Sequence, residues 1–449
     1  MTDVRLGAAT AWSRDRFGPA TDLARRGRLD YLCFESMSEL TMSEAQMKKS
    51  TSPDKPSYDP YLEARLAPVL RDCHQNGTRI ISNQGWLDPP GAAERVAGIA
   101  RSEGINGARV AAVSGGDLTS RIADMGLRFE EDGEEVAAYR DRIVSAEAYL
   151  GAEGIVTALA DSATVVLTAR VADACLYMGP LAYEFGWSFD DHEALAQGMI
   201  LGHLMECAGQ VTGGYFADPG YKDVPDLANL GHPIAEVGDA GWYITKLPET
   251  GGLVSTETCK EQLLYEVGDP SGYLCPDTTV DFTSVRFAQA GENRVQVIGG
   301  SGRPRPDTLK VLVGLREGYA AEEMVLFAGP GAVARAELAR TVLLERFERT
   351  AVSAEDLRVD YVGLNSVHRE LSPAPAAEPY EVVLRVAARC AERADAEKLR
   401  REVDPMAVNG PAATGKWAPM GNRVRPVIGL RSVLVPRDEV DWSVTYVDA

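Results

Sequence analysis

Short apolar runs and amphipathic stretches alternate along the first half of this chain, and that alternation constrains its fold more than any other feature. Residues 4–10, 30–35, 78–82, 108–113 and 164–168 read as strands, with helices expected between them at 20–26, 61–76, 91–103 and 152–160. Strands separated by helices of about 10 to 15 residues build βαβ units and a mainly parallel sheet. The expectation for residues 1–215 is therefore an α/β domain, a doubly wound, mainly parallel layer sandwich. Ligands in such sheets bind beyond the carboxyl ends of the strands. This directs attention to residues 12–16, 35–38, 83–85, 114–117 and 169–173.

Beyond Gly220 the pattern changes. Residues 216–449 read as an α+β domain with split βαβ units, built from strands near 311–315, 357–362, 381–386 and 427–435 and helices at 331–346 and 387–400. A chain of 449 residues suffices for two or three domains of about 150 residues each. The net charge of -20 argues against a nucleic-acid partner or an anionic membrane surface, since both would repel the chain. An anionic small-molecule substrate would then need a local basic pocket. The seven cysteines form no CxxC pair and are odd in number, which fits reduced thiols and a cytoplasmic location. The first residues lack a basic and then apolar leader, and no run reaches the roughly 18 apolar residues of a membrane span.

No nucleotide fingerprint, nucleophile elbow or metal-ligand spacing is written in the chain, so neither cofactor nor metal is expected. The chemistry must come from weaker constellations. Arg170 and Asp173 follow an expected strand, where an arginine can grip a carboxylate or phosphate and an aspartate can move a proton; an internal ion pair locking the turn fits the same residues. His203, Glu206 and Gln210 share one helix face among glycines, as proton-transfer groups or as a buried hydrogen-bonded stripe. Gly251 and Gly252, with Lys246 nearby, lead to a helix start and suit either an anion-binding set of amides or a plain turn. Arg303, Arg305 and Lys310 sit on a proline-stiffened loop, as an anion grip or a charged strand edge. Asn83 and Asp117 lie just past strands and join the ligand-binding candidates. Cations from both halves, Arg170 and Arg303 above all, are expected to meet over the sheet rim.

With those residues in view, the chain resembles the acyclic terpene utilisation AtuA-like family. The resemblance is carried by long runs, among them DYLCFESMSELT, ISNQGWLDPP, TARVADACLY, LAQGMILGHLMECAGQVTGGYFADPG, KDVPDLANLGHPIAEV and GRPRPDTLKV. It departs from the family pattern at Ala8, Ala9 and Arg14 and at Ala169 and Cys175, which bears on the substrate. The resemblance implies a place beside acyl-CoA carboxylation, hydration and cleavage in branched isoprenoid acid catabolism. It also implies a small ferredoxin-like-fold domain that many relatives carry at the C-terminus, expected here as a separate subunit.

The leading expectation is an enzyme that hydrates, or cleaves a carbon–carbon bond in, a branched carboxylate or its coenzyme A thioester. Arg170, Arg303, Arg305 and Lys310 would hold anionic groups, and Asp173, His203 or Glu206 would move protons. Its alternatives are a non-catalytic acyl-CoA-binding or scaffold subunit, and a biosynthetic enzyme acting on a small carboxylic acid. Large α/β enzymes are commonly symmetric homo-oligomers, and the same is expected of this one.

Overall fold

The computed structural model describes residues 3–375, 377–417 and 424–449. The chain divides into two units, Met1–Gly314 with Leu430–Ala449, and Leu315–Gly429. The boundary expected after residue 215 falls inside the first of them.

The first unit opens with β1 (Val4–Thr10), α1 (Gly18–Arg26), β2 (Tyr31–Phe34), α2 (Glu39–Thr51), α3 (Leu62–Asn76), β3 (Arg79–Ser82), α4 (Pro89–Ser102) and β4 (Arg109–Gly115). It continues through β5 (Ile143–Ala148), α5 (Glu153–Ala160), β6 (Val165–Thr168), α6 (Cys175–Phe185) and α7 (His192–Glu206). Next come β7 (Pro233–Gly238), β8 (Gly241–Lys246), α8 (Thr256–Leu264), β9 (Tyr273–Leu274), β10 (Thr279–Asp281), β11 (Arg286–Gly291), β12 (Arg294–Ile298) and β13 (Ser301–Arg303). The long strand β14 (Thr308–Ala328) leads onward to α9 (Ala332–Arg349), β15 (Asp356–Val362), β16 (Glu381–Cys390), α10 (Arg393–Val403), α11 (Met406–Asn409) and β17 (Thr414–Trp417). Strands β18 (Val424–Pro436) and β19 (Trp442–Asp448) end the chain.

Ten strands of the first unit form one sheet in the order β11-β12-β8-β7-β1-β2-β3-β6-β4-β19. The five strands β1, β2, β3, β6 and β4 run parallel, as the alternating sequence demands. The strands added on either side are antiparallel. The sheet is thus mixed, not mainly parallel, because hairpins from the segment assigned to a second domain extend its edge. Its opposite edge is closed by the C-terminus, with β19 paired to β4 from Trp442 opposite Gly115 to Asp448 opposite Arg109.

Alternation along β2 sets the layers. Leu32 and Phe34 pack in one core with Leu23 of α1, Leu66 of α3 and Val96 of α4. Cys33, between them, donates its thiol to the Leu176 carbonyl of α6 at 3.3 Å. Successive strand side chains point to opposite faces, so helices cover both sides of the parallel strands. Leu32 and Phe34 are fully buried, each worth about 1.5–3 kcal/mol against exposure. The next layer depends on a close approach: a Cβ on Gly202 of α7 would lie 2.4 Å from the Ala174 carbonyl at the start of α6. Helix α7 is capped by Asp191, whose carboxylate accepts from the Ala194 amide at 3.1 Å.

In the second unit the strands lie in the order β15-β16-β14-β17, with every pairing antiparallel. Strands β14 and β15, joined through α9, both run against β16 inserted between them. Val325, Phe327, Leu343, Leu384 and Leu399 fill its core. The helix expected at 387–400 begins only at Arg393, because β16 stays paired with β14 as far as Cys390 opposite Tyr319. Among the described residues no helix is long and apolar enough to cross a membrane.

Candidate functional site

The parallel strands deliver their carboxyl ends to one polar cluster in the first unit. Just past β2, Glu35 is buried and its carboxylate accepts from the Met37 amide at 2.6 Å. Asn83, just past β3, donates to the same oxygen at 3.1 Å and accepts from the Ser36 amide at 2.7 Å. The Thr10 hydroxyl, at the end of β1, donates to the Glu35 carbonyl at 2.5 Å. Past β6, the Arg170 guanidinium donates to the Met37 carbonyl and, at 3.2 Å, to Asp173. Burial, reinforced by the Asp173 carboxylate, pushes the Glu35 carboxyl well above its usual range, against the pull of Arg170.

Beside this cluster opens a cavity of about 700 Å³. Arg170 and Asp173 border it together with His203 and Glu206 of α7, so two of the expected constellations do meet. The Arg170 guanidinium stacks on the Tyr149 ring, 4.0 Å from its centroid, and only 4 % of its side chain is exposed. One oxygen of Asp173 is held by Arg170, while the other has no hydrogen-bond partner. Burial raises this carboxyl to about 7 against the pull of Arg170, with the Glu206 and Glu39 carboxylates adding to the rise.

On α7, the His203 Nε2 lies 3.2 Å from the Leu263 carbonyl. A carbonyl only accepts, so Nε2 carries a hydrogen. Nδ1 then faces the Glu206 carboxylate at 3.5 Å. Asp173 and this pair line the same cavity. Among the described residues no group of three or more His, Cys, Asp or Glu side chains is arranged to hold a metal ion.

The remaining candidates lie elsewhere. Arg303 is exposed and donates to the Ser271 carbonyl at 2.7 Å, and Arg305 pairs with Glu153 at 2.8 Å; neither borders the cavity, and the expected meeting of Arg170 with Arg303 does not occur. The loop between them and Lys310 turns their heads toward their own neighbours. Lys310 does reach the cavity, with its ammonium 5.2 Å from the Tyr149 ring centroid. The Gly251 and Gly252 amides are already bonded to the Asn229 and Pro225 carbonyls, both at 2.8 Å, so this is a closed turn and not an anion cradle. Lys246 serves the same turn, donating to the Thr250 carbonyl at 2.6 Å. Asp117 accepts from the Thr119 amide and hydroxyl at the surface, and Asn83 acts on Glu35 without bordering the cavity.

Glu39, Tyr149 and Glu266 also border the cavity. Glu39, first in α2, accepts from the Tyr149 hydroxyl at 3.1 Å. Burial pushes its carboxyl up, but its own backbone amide, Arg170, Tyr149 and Lys310 bring it below its usual range. Glu39 lies one residue past the strand-end segment flagged for inspection, and the Ser38 cap that starts α2 was a readable signal. Tyr149 follows β5, a strand that no periodicity announced. Glu266 is the third, raised by burial and by Glu206.

A model of the acyclic terpene utilisation family protein AtuA matches residues 4–446 of the chain. No curated protein and no solved structure matches it.

Proposed function

The chain belongs to the acyclic terpene utilisation family, and from that premise we propose that it is an enzyme acting on a branched, isoprenoid-type carboxylate or its thioester by hydration or carbon–carbon cleavage. The observation that carries this reading is the Asp173 carboxyl, raised to about 7 with one oxygen unpartnered, bordering the same cavity as the His203–Glu206 pair. Hydration and carbon–carbon cleavage beside a carbonyl both require one proton to be delivered and another removed. Asp173 in its acid form is suited to the first task and the Glu206–His203 pair to the second. Arg170 holds Asp173 in position and, through its charge, keeps Glu39 ionised. Met199, Leu274 and Leu309 supply apolar wall for a hydrocarbon chain.

We read the five parallel strands with helices on both faces as a doubly wound core, in which this cavity adjoins the carboxyl ends of the strands. We read the second unit, with element order β14-α9-β15-β16-α10-β17 and spatial order β15-β16-β14-β17, as a split βαβ module of ferredoxin-like type. On that reading the small domain expected as a separate subunit lies within this chain.

The test is to incubate the protein with methyl-branched acids and their thioesters, following water addition or chain cleavage by mass spectrometry, for the wild type, Asp173→Asn and Glu206→Gln. Loss of turnover by about 100-fold or more in each folded variant is expected. Wild-type rates in both would end the assignment of these roles.

A further inference from the structure

The charge around the cavity separates the two substrate forms that the proposed function leaves open. Five carboxyl side chains border it, Glu39, Glu130, Asp173, Glu206 and Glu266, against two cations, Arg170 and Lys310. The Arg170 guanidinium is engaged by the Met37 carbonyl, Asp173 and the Tyr149 ring. Arg303 and Arg305, which the sequence suggested as further anion grips, are bound to Ser271 and Glu153 away from the cavity. Lys310 remains: its head is exposed over Tyr149 and, among the described residues, has no hydrogen bond and no carboxylate within ion-pair distance. The cavity border therefore offers one positive charge with no direct hydrogen-bond or ion-pair partner, acting on Glu39 only through space, together with an apolar wall that includes Met199 and Leu309.

One ammonium beside that wall matches an amphipathic monoanion. A coenzyme A thioester would bring several phosphate charges to an opening edged by carboxylates, in a chain whose net charge is already -20. We propose that the cavity takes the free branched monocarboxylate, with its carboxylate on Lys310, and discriminates against the polyanionic thioester. This inference rests on the proposed function for the branched chain and the acid–base roles, and it adds the identity of the head group.

The experiment is calorimetric titration of the wild-type chain with a methyl-branched medium-chain carboxylate, its methyl ester and its coenzyme A thioester, at low and high salt. The carboxylate should bind at least tenfold more tightly than either ester. Its affinity should fall with salt, whereas that of the thioester should rise as repulsion is screened. Lys310→Gln should weaken the carboxylate about tenfold and leave the methyl ester unchanged, and Lys310→Arg should restore binding. A thioester that binds as tightly as the acid, or an acid affinity unmoved in Lys310→Gln, overturns the assignment of the free acid while leaving the proton-transfer roles standing. Failure of every one of these ligands to bind the folded wild type would overturn both readings together.

Discussion

At the scale of single residues, the chemistry of this protein is a matter of too few cations for its buried carboxyls. Arg170 serves Asp173, Glu35 and Glu39 at once, and one oxygen of Asp173, which borders the cavity, is left without a partner. If Asp173 is the general acid, kcat/KM should fall as pH rises through about 7, where its proton leaves. A rate that stays flat from about pH 6 to 9, with chemistry limiting, would take that role away. A second buried acid permits a test free of catalysis. Glu147 is pushed up to about 8 by burial and by Asp117. Since its folded pKa lies above the unfolded value, the folded chain holds the extra proton between about pH 4.5 and 8, and stability falls as pH rises through that window. Glu147→Gln removes this loss, so between about pH 5 and 9 the variant should gain about 2 to 4 kcal/mol on the wild type by urea denaturation. Parallel stability curves for the two proteins would show that Glu147 is not held neutral.

At the scale of elements, the position of α7 decides the site, because it carries both His203 and Glu206. Its approach to α6 is possible only without a side chain at position 202. Gly202→Ala would push a methyl against the Ala174 backbone, and a cost of about 1–3 kcal/mol is expected in a thermal or urea melt. The same variant should weaken turnover by moving the His203–Glu206 pair, although Gly202 itself does not border the cavity. An unchanged melting curve would mean that α6 can shift without strain. Element boundaries followed physical signals that compete in the sequence. Asp191 caps α7 because its carboxylate reaches Ala194, and β16 overrides a helix-favouring Ala-Ala-Arg run because β14 pairs with it throughout.

At the scale of the whole molecule, the chain returns at its end to the sheet with which it began. Strand β19 supplies the antiparallel partner of β4 along seven residues, and Arg109 of β4 lies over the Tyr446 ring at 4.4 Å from its centroid. A chain ending at Gly429 lacks that edge, and its melt by circular dichroism should lose the cooperative transition of the first unit or shift it well downward. A wild-type profile in the truncated chain would show the edge to be dispensable.

The sequence by itself determined the parallel centre of the sheet, since apolar runs spaced by amphipathic helices have few other ways to bury their faces. It also marked Arg170, Asp173, His203 and Glu206, because strand ends and a polar stripe on a glycine-rich helix are local signals. What only the tertiary structure decided is which of these groups meet and which stay apart. Arg303 and Arg170 read alike as loop arginines, yet one ends on the Ser271 carbonyl at the surface and the other between Asp173 and Tyr149. The direction of a long side chain is set by partners distant in the chain, as is the pairing of β11, β12 and β19 onto one sheet. Such long-range contacts leave no periodicity in any single segment.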